Sequence, residues 1–264
     1  MCFKAFYILV LIFIVTVSMS ANLAKAQMVT DGLVSYWPLD EATIQGKTVK
    51  DVWGKNDGTP AGNPKAADGK INGAMRFAGN DSVDIPGTDT LNFAKKEAMT
   101  VTAWVNAGSD DPVQGVVAGC CGTIVAQRDA NSWALRYDGR NPGDDMEFIV
   151  QPGWQGDGGF GAPRFKKGEW HHLTGVVDRT KLLLYVDGEL LKEMPFAGPM
   201  VSDSSEAEIG HAGDGGFVGL IDEVAIYNRA LSAKEVKQNF QSKGLAVAPA
   251  GKLATRWGEI KVSR

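Results

Sequence analysis

The sequence predicts an all-β sandwich, and three observations carry that prediction. A dozen short strand-like runs recur along the 264 residues. Thirty-two residues are glycine, well above the usual ~7%, which favours tight turns over long helices. A single segment carries helix signals.

Met1–Ala26 precedes the strands and reads as a secretory leader. Lys4 opens it, an apolar run spans Phe6–Val17, and Ala24-Lys25-Ala26 supplies a small-x-small cleavage site before Gln27. The run is short of the ~20 residues that cross a bilayer. The alternative is an uncleaved N-terminal anchor. Cys2 precedes the apolar run, so it is not a lipoprotein cysteine. The expected mature chain is exported (secreted, cell-surface or periplasmic) and lacks a transmembrane segment.

Leu33–Leu39 is the first strand. Ala74–Phe77 and Ser82–Ile85 flank a Gly79-Asn80-Asp81 turn. Met99–Val105 alternates, with Met99, Val101, Ala103 and Val105 on one face and Thr100, Thr102 and Trp104 on the other. Thr123–Gln127, Trp133–Tyr137 and Met146–Val150 continue the series. Trp170–Val177 and Leu182–Val186 are joined by Asp178–Lys181. Asp187-Gly188 then suits a two-residue hairpin, in which both central positions need φ > 0. Glu189–Met194, Ala207–Ile209 and Phe217–Tyr227 complete the strands. Ser232-Ala233-Lys234-Glu235 is a capping box, after which Val236 and Phe240 share one helical face and Gly244 ends the segment. Residues 27–244 form one domain, and 245–264 read as a spacer and tail holding Trp257.

The net charge of −4 becomes more negative once Lys4 and Lys25 leave with the leader, and it excludes a nucleic-acid footprint. Three cysteines are too few for a disulfide-built scaffold. Cys120 and Cys121 are adjacent. Their Cα spacing of ~3.8 Å falls below the usual disulfide range, so a strained vicinal bridge, free thiols and an intermolecular bond all stay open.

Four ordered segments resemble the bacterial laminin-G-like jelly rolls of the concanavalin A-like lectin/glucanase superfamily. They are Gly32–Asp40, Gly69–Phe77, Gly168–Leu173 with Asp178 and Tyr185–Gly188, and Gly219–Ser232. Their order and spacing match over about Gly32–Gln241. The resemblance implies a two-sheet antiparallel jelly-roll sandwich with one short helix. It implies less about activity, because the architecture hosts lectins, adhesive modules and hydrolases.

Retaining hydrolases of the superfamily carry a Glu-x-Asp-x-(x)-Glu run that sets two carboxylates ~5–5.5 Å apart. Asp144-Asp145-Met146-Glu147, Glu206-Ala207-Glu208 and Asp222-Glu223 do not reproduce it, and Asp145 with Glu147 reads as a solvated strand end. No serine sits in a Gly-x-Ser-x-Gly elbow. No catalytic residue is assigned. His171 and His172 point to opposite strand faces and read as framework; His211 stands in a Gly-rich turn.

Calcium is the metal expectation, since Ca²⁺ takes six to eight oxygens. Related domains often hold it on the rim. Asp40, Asn56 and Asp222 are its expected ligands if the first and last strands lie side by side; otherwise they cap turns and bond backbone N–H groups. The Gln151–Phe160 loop is the ligand candidate, with Trp154 and Phe160 to stack on sugar C–H surfaces and Gln155 and Asp157 to bond hydroxyls. The alternative is a loop whose Trp154 folds back onto the sandwich. The expected function is non-catalytic recognition of an extracellular glycan or glycoprotein. The alternatives are a divergent glycoside hydrolase or polysaccharide lyase, and a structural or adhesive surface protein.

Overall fold

The computed structural model describes residues 26–108, 121–127, 132–139, 146–161, 165–203, 205–213 and 215–245. Residues 1–25 of the leader, Cys120, Asp144, Asp145 and the 246–264 tail lie outside the described residues. In chain order the first strands are β1 (Leu33–Trp37), β2 (Ile44–Gln45), β3 (Thr48–Val49), β4 (Thr59–Ala61), β5 (Lys65–Asp68), β6 (Gly73–Ala78) and β7 (Ser82–Ile85). The middle of the chain supplies β8 (Ala98–Ala107), β9 (Cys121–Gln127), β10 (Trp133–Asp138), β11 (Met146–Val150) and β12 (Trp170–Asp178). The series closes with β13 (Lys181–Val186), β14 (Glu189–Pro195), β15 (Ala207–Ile209), β16 (His211–Ala212), β17 (Gly215–Gly216), β18 (Val218–Tyr227) and helix α1 (Ala233–Gln241).

Among the described residues these strands form two eight-stranded sheets. The first runs β14-β13-β12-β8-β18-β6-β5, with β1 antiparallel to β18; the second runs β11-β10-β9-β15-β7-β4, with β16 and β17 beside β9. This is the jelly-roll sandwich expected, with one α-helix among the described residues. The first strand stops at Trp37 rather than Leu39, because Leu39 has φ +60°, outside extended geometry.

The alternation of β8 decides what faces what. Met99, Val101, Ala103 and Val105 enter the core between the sheets, with Trp37, Phe77, Trp133, Phe148 and Phe217. Each such side chain contributes ~1.5–3 kcal/mol on leaving water. The opposite face is not solvent. Thr100, Thr102 and Trp104 are buried, and on that side Met28, Val29, Tyr36, Tyr227 and Val236 form a second apolar cluster. The central strands of the first sheet are therefore covered on both faces, while its edge strands β5 and β14 are mostly exposed.

Helix α1 begins at the expected capping box. Glu235 N–H donates to Ser232 Oγ at 3.4 Å, and Ser232 N–H donates to Glu235 Oε2 at 2.8 Å. Arg229 Nη2 bonds Glu235 Oε1 at 2.7 Å and holds that carboxyl down to about 2. Asn239 ties the helix to the entering chain, accepting the Val29 N–H and donating to the Tyr227 hydroxyl. The helix ends at Gln241, three residues before Gly244. Gly244 lies at φ +70°, and a Cβ there would fall 2.4 Å from the Tyr36 hydroxyl, so its role is close approach rather than termination.

Candidate functional site

The 151–160 loop is built from inward-facing bonds. Val150 and Gln155 exchange two backbone hydrogen bonds of 2.9 Å. The Gln155 side chain donates to the carbonyls of Pro152 and Ala197 and accepts the Ala197 N–H at 2.7 Å. Gly158 N–H donates to Glu147 Oε1 at 2.5 Å, and Arg136 Nη2 lies 3.5 Å from Asp157 Oδ1.

These bonds sort the four expected ligand residues. Phe160 is 1% exposed and packs in the inter-sheet core, so its ring cannot stack on a ligand. An aromatic in a Gly-rich loop gave no sign of this; the loop must turn back to place it. Gln155 is engaged in joining its own loop to the 197 region. Asp157 stays partly open beside Arg136. Trp154, at φ +55°, is 39% exposed and stands out from the loop rather than folding back onto the sandwich.

Glu147 is not a solvated strand end. It is 0% exposed, directly opposite Arg136 in the β10–β11 pairing, and Arg136 Nε reaches its Oε2 at 3.0 Å. Burial pushes its carboxyl above the usual range, while the Gly158 N–H and Arg136 pull it back. Carboxylate oxygens of Asp138, Glu147 and Asp157 lie within 4.8 Å of one another. Sequence reading missed this cluster, although the flanking runs Trp133–Tyr137 and Met146–Val150 already make Arg136 and Glu147 cross-strand neighbours once paired.

Asp40 and Asp222 come together at the turn between β5 and β6. Asp40 Oδ1 accepts the Gly73 N–H at 2.6 Å; Asp222 Oδ2 accepts the N–H groups of Lys70 and Ile71 at 2.9 and 3.0 Å. A bulge in β18 aims Asp222, inserting one extra residue opposite β8, with Glu223 at φ +55°. Asp222 is fully buried and its Oδ1 has no hydrogen-bond partner. Burial, helped by the charge on Asp40, pushes the Asp222 carboxyl up to about 8. Glu223 turns the other way and accepts the Tyr36 hydroxyl.

Asn56 belongs to another network. Its amide donates to Ser35 Oγ at 2.6 Å and accepts from the Thr88 hydroxyl at 2.7 Å, tying together three segments that do not include Asp40 or Asp222. Two of the three expected metal ligands are therefore adjacent, and a bare buried carboxylate oxygen beside a second carboxylate suits a hard cation.

The two histidines are framework. His172 Nε2 bonds Thr102 Oγ1 at 2.7 Å on the helix-covered face, and burial lowers its pKa to about 4. His171 stacks on Phe165 with centroids 4.0 Å apart. Cys121 opens β9 and is fully buried.

Comparison with solved structures supports the architecture. Domain 4 of AbnA, an extracellular arabinanase of Geobacillus stearothermophilus solved with arabinotriose, superposes with a TM-score of 0.61 at 19% identity, covering 78% of this chain and 97% of that one. The binding domain of Paraclostridial Mosquitocidal Protein 1 gives 0.59 at 17% identity, covering 80% of this chain and 52% of that one. The ligand binding domain of botulinum neurotoxin serotype D, solved with N-acetylneuraminic acid, gives 0.58 at 14% identity, with coverages of 80% and 51%. The chain thus spans about half the length of both toxin chains. No curated protein matches it. Residues 77–237 match a laminin G model of the Concanavalin A-like lectin/glucanases superfamily, and on that match, over more than half of its length, the chain belongs to this family.

Proposed function

We propose that the chain is an exported, non-catalytic carbohydrate-binding module that takes an extracellular glycan, free or on a glycoprotein, on the face of Trp154. The observation carrying this reading is that Trp154 is displayed by a loop whose neighbouring side chains are tied inward. A sugar's C–H face can stack on such an indole without first ordering the loop, so little conformational entropy is lost on binding. Asp157, beside Arg136, offers a carboxylate to hydroxyls at the same edge. Glu147 is held on both oxygens, by Arg136 and by Gly158 N–H, which suits a strut under the loop better than an acid–base catalyst.

Calcium in this reading is held by Asp40 and Asp222 and fixes the 69–73 turn; Asn56 is not among its ligands. The similar folds that carry arabinotriose and N-acetylneuraminic acid favour a saccharide over a protein surface.

A glycan array probed with residues 27–264, in calcium and again in EDTA, tests the proposal. Binding to one glycan class, reduced about tenfold or more (~1.4 kcal/mol) by Trp154→Ala, is the expected result. Absence of binding in both buffers, or binding indifferent to Trp154→Ala, overturns the Trp154 reading; cleavage of a polysaccharide overturns the non-catalytic one.

A further inference from the structure

A second recess lies between the C-terminal end of α1 and the 69–73 turn. It measures about 590 Å³, within the ~300–1,000 Å³ of small-ligand sites, and its walls include Lys70, Asn72, Trp104, Phe240, Gln241 and Lys243. Phe240 forms its aromatic wall over the buried Trp104, with ring centroids 5.5 Å apart. The Lys70 ammonium stands 4.7 Å from the centre of the Trp104 ring.

The charge of this recess opposes that of the chain. The sequence has an excess of acids, yet the lining holds two lysines and no carboxylate. Among the described residues neither lysine has an ion-pair partner. The turn bearing Lys70 is preorganised, because Asp222 accepts the N–H groups of both Lys70 and Ile71. A cation held over an indole beside amide side chains matches one ligand chemistry: an apolar ring face, hydroxyl groups and a carboxylate.

We propose that this recess is a saccharide site selective for a carboxylate-bearing sugar, with the partly exposed Phe240 against the ring, Lys70 and Lys243 on the carboxylate, and Asn72 and Gln241 on hydroxyls. The 246–264 segment that follows Lys243 in sequence is a poor occupant. It carries Lys252, Arg256, Lys261 and Arg264 against the lone acid Glu259, so its charge has the same sign as the recess. The site stands independently of Trp154.

Calorimetric titration of the full chain with trigalacturonic acid and with sialyllactose tests the proposal and distinguishes a uronate from a sialate. The expected result is saturable binding of one of them, weakening as salt rises because lysine–carboxylate pairs in an open recess are screened. The Lys70→Gln/Lys243→Gln double variant should lose at least tenfold in affinity, whereas Lys47→Gln, an exposed lysine outside the recess, should not change it. Both lysines are exposed, so the double variant is expected to keep the fold, which its melting curve checks. Failure of both acidic probes to bind, equal binding of neutral lactose, or unchanged binding by the lysine variant overturns the proposal. Loss of binding in Trp154→Ala alone moves the acidic sugar to the 151–160 loop and also overturns it.

Discussion

Asp187 Oδ2 lies 2.8 Å from His171 Nδ1, while its Oδ1 accepts the His172 N–H at 2.8 Å, so one turn residue ties the start of β12 to the β13–β14 hairpin. Asp187 and Gly188 have φ of +52° and +80°, the geometry of a two-residue hairpin with both central residues left-handed. Burial works to raise the Asp187 carboxyl, but the His171 bond and the His172 N–H hold it below its ordinary value. Asp187→Asn keeps a residue that tolerates this backbone and should cost about 0.5–1.5 kcal/mol. Asp187→Val adds a β-branched residue at positive φ and should cost ~1–3 kcal/mol more. A depressed acid stabilises above its unfolded pKa, so the gap between wild type and Asp187→Asn should narrow below pH 3.8. Urea unfolding at pH 7 and pH 3 reads both effects.

His172 should make the fold acid-sensitive. Its folded pKa of about 4 lies below the ordinary 6.5, because burial disfavours the cation. The unfolded chain therefore takes the proton first. Stability from this group is complete above pH 6.5 and declines as pH falls toward 4, by on the order of 3 kcal/mol if the whole shift is expressed. His172→Gln removes that slope while keeping a polar group for Thr102. Melting temperatures of both proteins between pH 4 and 7 should converge on acidification; parallel curves would place the acid sensitivity elsewhere.

Gly175 shows how the two sheets interlock. It lies on β12, and a Cβ there would sit 2.5 Å from the Phe148 ring of β11, on the facing sheet. Gly175→Ala should therefore cost about 1–3 kcal/mol through overpacking, whatever the gain in backbone entropy. Phe148→Leu alone should also destabilise. Combined, the two should cost less than the sum of the single changes, since the smaller side chain makes room for the methyl. A double-mutant cycle in guanidinium measures the difference.

What the sequence shows well is what neighbouring residues decide between themselves. Asp187-Gly188, the Ser232–Glu235 box and the alternation of Met99–Val105 are local chemistry, and all three stand where their residues indicate. Lys65–Asp68 and Thr59–Ala61 are strands only because β6 and β7 offer them edges to pair with; their own composition carries no alternation. The site is less legible for the same reason. Phe160 resembles a displayed aromatic until the loop turns it inward, and Glu147 resembles a wet strand end until Arg136 and Gly158 close over it. That Asp40 and Asp222 lie near one another follows from β1 lying beside β18, as the resemblance implies, but the separation of Asn56 from both depends on which segments Ser35 and Thr88 draw together.

The Arg136–Glu147 pair should be a strut whose loss is felt at Trp154. Both residues are buried, with side chains 5% and 0% exposed, and breaking one partner of such a pair typically costs ~3–5 kcal/mol because it strands a charge. Arg136→Ala should fall in that range at pH 8. Arg136 is one of the groups holding the Glu147 carboxyl down, so its removal lets that carboxyl keep a proton in the folded state. A raised acid loses stability as pH rises above its unfolded value, so the deficit of Arg136→Ala should be smaller at pH 5 than at pH 8. Glu147→Gln in the Arg136→Ala background should recover part of the loss at pH 8, since it leaves no charge to strand. Because Glu147 Oε1 also holds the Gly158 N–H, sugar binding by Arg136→Ala should weaken more than the folded fraction accounts for. Unfolding curves at the two pH values, with glycan titrations of the folded variant, separate a strut from an acid whose pairing is incidental.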